Sequence, residues 1–142
     1  MARITDGWRW WVLVCAIVCA AWLIGGAHAA VVVGTDGPDT LVGTIQADTL
    51  QGLAGGDLLK SLDGKDTLEG GDGADTLKAG YGEDLLYGGA GDDWLRGGHG
   101  ADILFCGPGF DVVVARGIHD WVMPDCEVAP DGGRNYARAL HR

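Results

Sequence analysis

One apolar position recurs every nine residues along this chain: Leu41, Leu50, Leu59, Leu68, Leu77, Leu86, Leu95, Leu104 and then Val113. A helix would repeat near 3.6 residues and a half-buried strand near 2, so neither element alone accounts for the spacing. A fixed longer period is the mark of a repeat architecture. Registered from Gly34, the blocks read GTDGPDTLV, GTIQADTLQ, GLAGGDLLK, SLDGKDTLE, GGDGADTLK, AGYGEDLLY, GGAGDDWLR, GGHGADILF and CGPGFDVVV, ending at Val114 with no gap. Position eight carries the apolar residue. Position six is Asp in every block. The register runs past both ends, to Val32 before Leu41 and to Asp120 and Val122 in the eroded block ARGIHDWVM.

Within a block, Gly at the first, second and fourth places suits left-handed backbone and close approach in a tight turn. The last three residues suit a short strand whose middle side chain points inward and whose neighbours point out. Two blocks then make one coil of a solenoid, with a turn on each side. Like positions 18 residues apart stack at about 4.8 Å, the spacing of neighbouring strands. Leucines from the two sides meet in a thin core, each contributing on the order of 1.5–3 kcal/mol. The predicted fold is all-β: a parallel β-roll, a right-handed solenoid with two nonapeptides per coil. Residues 30–114 form the roll, with the repeats over 34–114. Residues 115–142 form a degenerate repeat and a C-terminal cap, which a solenoid needs.

Stacking sorts the position-six acids into two columns. One holds Asp39, Asp57, Asp75, Asp93 and Asp111, and the other holds Asp48, Asp66, Asp84 and Asp102. Glycine–aspartate turns often use the acid only to bond the local backbone. Here, however, the carboxylates repel one another along each column, and no Lys or Arg occupies a regular place beside them. A hard cation between successive turns resolves the repulsion. Ca²⁺ accepts six to eight oxygens in flexible geometry, from carboxylates and backbone carbonyls. Mg²⁺ demands a stricter octahedron, and zinc wants Cys or His, which the turns lack.

The blocks resemble GGxGxDxUx, the signature of the RTX (repeats-in-toxin) calcium-binding β-rolls. That resemblance covers Gly34–Val114. It implies Ca²⁺ held by an Asp from each of two stacked turns together with glycine-turn carbonyls. Carried over residue by residue, the implied metal set is the nine position-six aspartates with Gly71, Gly73, Gly80, Gly82, Gly89, Gly91, Gly98, Gly100, Gly107 and Gly109. The best sites are expected between the turns of Asp75 and Asp93, Asp84 and Asp102, and Asp93 and Asp111. Three to five ions are expected in all. Earlier blocks depart from the signature at Gln46, Leu53 and Ser61-Leu62, which weakens the sites of Asp48 and Asp66.

Composition refines the picture. Among 142 residues there are 26 Gly, 20 acidic and 10 basic side chains, for a formal net charge of −10. Such acidity excludes nucleic acid as a partner, because phosphates call for Lys and Arg. Arg3 and Arg9 precede an apolar run from Trp10 to Ile24, followed by Ala27-His28-Ala29, an A-x-A cleavage pattern. Residues 1–29 therefore read as a secretory signal peptide cut before Ala30, and the protein as secreted. The rival reading is a retained membrane anchor, although the run falls short of the roughly 20 residues a span needs. Many RTX relatives instead leave through a type I channel with a C-terminal signal. Two cysteines remain after the cut, Cys106 and Cys126, about one coil apart, and are expected to form a disulfide.

Position nine of alternate blocks gives Lys60, Lys78 and Arg96, beside Leu58, Thr76 and Trp94 at position seven. This outward stripe is either a solvated face or a contact for cell-envelope polysaccharide. Catalysis finds little material: Ser61 is the sole serine and lies inside a repeat, and no phosphate loop, EF-hand loop or dinucleotide fingerprint is present. The chain is expected to be a monomeric calcium-binding protein and not an enzyme.

Overall fold

The computed structural model describes residues 28–114 and 119–128. Residues 1–27, which hold most of the expected signal peptide, and most of the C-terminal tail lie outside the described residues. Twelve strands follow in chain order: β1 (Val31–Val33), β2 (Thr40–Val42), β3 (Thr49–Ala54), β4 (Leu58–Asp63), β5 (Thr67–Asp72), β6 (Thr76–Tyr81), β7 (Leu85–Ala90), β8 (Trp94–His99), β9 (Ile103–Phe105), β10 (Val112–Val113), β11 (Trp121–Val122) and β12 (Glu127–Val128). They form two six-stranded parallel sheets, ordered β1-β3-β5-β7-β9-β11 and β12-β10-β8-β6-β4-β2. Alternate strands thus go to opposite walls, as a coil of two nonapeptides requires. The register is the one the repeat dictates: Leu50 pairs with Leu68, Leu68 with Leu86, and Leu86 with Leu104. The molecule is a parallel β-roll.

The core is as thin as the sequence implies. Leu50, Leu59, Leu68, Leu77, Leu86, Leu95 and Leu104 are fully buried, and Val32, Leu41, Val113 and Val122 extend the same stack at both ends. The tenth block joins in: β11 pairs with β9, and Asp120 is buried one rung beyond Asp102. Only β12 leaves the register, pairing Val113 with Val128. The Cys106–Cys126 disulfide, with Cα atoms 5.3 Å apart, ties this irregular last coil to the roll.

Two local expectations need correction. The strands of the central coils are six residues long, running from position seven into position three of the next block. Position one therefore faces inward as well as position eight: Ser61, Ala79 and Cys106 are buried there. The glycines of position one also stay out of the left-handed region. They are small for another reason. A Cβ on Gly70 would run into the Asp75 carboxylate and the Gly88 carbonyl. Left-handed backbone belongs to positions two and four, as at Gly82 (φ 148°), where a Cβ would meet the Gly64 carbonyl of the coil before. Leu53 (φ 81°) and Leu62 (φ 99°) hold position-two geometry without being glycine. Such backbone costs of order 1–3 kcal/mol unless its surroundings enforce it. Pairing of Leu53 with Gly71 and of Leu62 with Gly80 enforces it here.

Candidate metal centre

Each position-six Asp stands at the end of a turn, just before the buried apolar residue of its strand, so the ladder that stacks the leucines also stacks the acids. From Asp48 to Asp120 these aspartates are at most 3 % exposed. The two oxygens of each carboxylate have different surroundings. One oxygen accepts the backbone N–H of the Asp one coil earlier: Asp57 Oδ1 from Asp39 at 2.8 Å, Asp75 Oδ1 from Asp57 at 2.7 Å, and Asp93 Oδ1 from Asp75 at 2.8 Å. The second column repeats this, with Asp66 Oδ1 bonded to Asp48 and Asp84 Oδ1 to Asp66. These bonds span 18 residues, so each aspartate ties its turn to the backbone of the coil before rather than to its own turn, and the tie uses half of each carboxylate.

The other half is left over. Oδ2 of Asp57, Asp66, Asp75, Asp84, Asp93 and Asp102 is buried with no hydrogen-bond partner. An uncompensated buried carboxylate oxygen costs several kcal/mol, which folded proteins rarely tolerate in a row. Protonation answers to the same pressure. Burial pushes Asp84 up to about 7 and Asp93 and Asp102 up to about 6. It also raises Asp57, Asp66 and Asp75, against the backbone N–H bonds that favour the charged form. Carboxylates of neighbouring coils add to the rise, as Asp66 and Asp102 do at Asp84.

The donor set fits a hard, oxygen-seeking cation. Among the described residues no three His, Cys, Asp or Glu side chains converge on one point. The remaining ligands must then come from backbone oxygen, which suits Ca²⁺ and not zinc. No backbone hydrogen bond of the turns ends on the carbonyls of Gly73, Gly82 or Gly91, at position four. Orphaned carboxylate oxygens and uncommitted turn carbonyls therefore occur together on each edge of the roll. The Lys65–Glu83 pair, 3.4 Å apart and exposed, offers the ladder no cation.

The first two blocks differ, for a reason the repeat alone hides. Thr35 and Thr44 occupy position two, and their hydroxyls donate to Asp39 Oδ2 at 2.9 Å and Asp48 Oδ2 at 3.0 Å. Their backbone N–H groups bond the same oxygens. Asp39 and Asp48 stand in the predicted columns, but the chain itself satisfies them. Loss of the consensus glycine was visible in the sequence; that its replacement would supply the missing donor was not.

On the outer face, Lys60 pairs in register with Lys78, and Lys78 with Arg96. Lys78 Nζ lies 5.4 Å from the Trp94 ring centroid. Three positions further along the same strands Tyr81 stacks on His99, centroids 4.7 Å apart. Between the cations and the rings runs a groove of about 310 Å³, floored by Gly80, Gly97 and Gly98.

A roll of stacked glycine–aspartate turns with cation-ready oxygens on both edges defines a metal-binding β-roll. The RTX calcium-binding nonapeptide repeat matches this chain in overlapping windows over residues 24–59, 33–68, 42–77, 61–95 and 78–113. The chain belongs to that family and is a calcium-binding repeat protein. No curated protein and no solved structure matches it.

Proposed function

We propose that the protein is exported, loses residues 1–29, and folds outside the cell around three to five Ca²⁺ ions as a monomeric structural protein. The observation that carries this is the run of buried, partnerless Oδ2 atoms from Asp57 to Asp102. In this reading each ion rests on an Asp from each of two stacked turns plus carbonyls of glycine turns. Asp57, Asp66, Asp75, Asp84, Asp93, Asp102 and Asp111 are the acids concerned, with the glycines of positions two and four from Gly71 to Gly109 around them. Asp39 and Asp48 are left out, because Thr35 and Thr44 already serve them.

The magnitude makes the metal decisive. At about 1–2 mM calcium and a Kd near 10⁻⁴ M, mass action supplies about 1.5 kcal/mol per site. Three sites supply roughly 5 kcal/mol, comparable to the net stability of a small domain. Export then couples to folding, since the chain meets enough calcium only outside. Far-UV CD of Ala30–Arg142 tests this: a weak spectrum in chelator should become strongly β on adding calcium. The same β spectrum in excess chelator refutes it.

A second reading is favoured by the groove between Lys60, Lys78 and Arg96 and the Tyr81–His99 stack. Cations at strand spacing beside an aromatic platform suit an anionic cell-envelope polysaccharide. Retention on cell-wall material should fall when all three basic residues become Ala. Equal retention dismisses the stripe.

A further inference from the structure

Counting the nonapeptide back from Asp39 places Ala30 at position six, the place every complete block gives to Asp. It also behaves structurally as a position-six residue. Its backbone nitrogen donates to Asp48 Oδ1 at 2.6 Å, as Asp48 donates to Asp66, and its carbonyl accepts the Thr49 N–H at 2.8 Å. Asp48 is only 3 % exposed, and its other oxygen is taken by Thr44. The donors Ala30 N, Thr44 N and the Thr44 hydroxyl are all neutral groups. Ala30 is also the first residue after the A-x-A pattern at 27–29.

We propose that cleavage between Ala29 and Ala30 creates, in place, the cation that completes this site. Water adds across the peptide bond, Ala29 departs as a carboxylate, and the Ala30 nitrogen takes up protons to become an α-ammonium. That ammonium sits on Asp48 Oδ1 and closes the column of Asp48, Asp66, Asp84 and Asp102. A part-buried neutral hydrogen bond becomes a charge-assisted one, roughly twice as strong. The first coil thereby gains a charged clasp where later coils have the neutral backbone N–H of the preceding Asp. The cut must fall at this one bond, since a start at Ala29 or Val31 sets the charge a residue out of register. The proposal rests on the reading of residues 1–29 as a signal peptide.

The test compares chains beginning at Ala30 and at Ala29, released without extra residues from a fusion partner and saturated with calcium. The Ala30 chain should melt about 4–8 °C higher, and Asp48→Asn should close that gap. Its terminal amine should also react with an acylating reagent several-fold more slowly than that of the Ala29 chain, a readout that needs no substitution. Equal melting and equal labelling overturn the contact. N-terminal sequencing of the exported protein tests the signal reading separately: a first residue other than Ala30 overturns the proposal through that reading.

Discussion

Replacing Asp93 by Asn separates the two jobs of a ladder carboxylate. The amide keeps an oxygen for the Asp75 N–H, now bonded at 2.8 Å. It removes the charge and the partnerless Oδ2. Without calcium the loss is a relief. Burial holds Asp93 up at about 6, so at pH 7.5 the wild-type carboxylate is ionised at a cost. Each unit corresponds to about 1.4 kcal/mol; discounted for water at the turn face, the relief is about 1–2 kcal/mol. With calcium the sign reverses. Asp93 faces coils on both sides, so two sites lose a ligand, about 3 kcal/mol at millimolar calcium. Melting in 2 mM calcium should drop by more than about 10 °C, whereas in chelator the variant should be as structured as wild type or more so by far-UV CD. A purely structural turn acid would give an equal loss in both buffers. That result, or an unchanged melting point in calcium, refutes the reasoning.

Three further expectations follow from the same structure. Leu53→Gly and Leu62→Gly should each stabilise the calcium-bound fold by about 1 kcal/mol, because they release left-handed strain at side chains that are not fully buried; thermal melts decide it. The raised carboxyls of Asp84, Asp93 and Asp102 hold more protons folded than unfolded. Their stabilisation of the calcium-free roll is fully present below about pH 4 and is lost as pH rises through 6 to 7. Calcium-free protein should therefore gain β signal from pH 8 to pH 5, while calcium affinity falls over the same range. Cys126→Ser opens the Cys106–Cys126 bridge, which spans 20 residues, and should cost about 3 kcal/mol on the chain-entropy model, read from denaturant midpoints in calcium.

The roll was legible because its two strongest physical demands, a buried Leu and a turn Asp, fall on the same nine-residue period and survive at every coil. The pairing of Cys106 with Cys126 was legible from an even pair set one coil apart. What escaped was the division of labour inside the consensus. Position-one glycine reads like its neighbours in sequence, yet it is small because it faces the carboxylate. Leu53 and Leu62 look like broken turns, but the coils on either side impose the glycine geometry on them. Thr35 and Thr44 look like erosion, and instead they satisfy the acids of the first two blocks. In each instance the determining contact lies one coil away or across the turn, beyond what the residue type alone reveals.

The central claim is that divalent cations, coordinated by oxygen alone, compensate the stacked acids. A crystal structure of Ala30–Arg142 grown in millimolar calcium tests it most directly. The account predicts strong peaks along the roll's edges at 2.3–2.6 Å from carboxylate oxygens of Asp75, Asp84, Asp93 and Asp102. A well-ordered roll whose Oδ2 atoms contact only water or each other would contradict it.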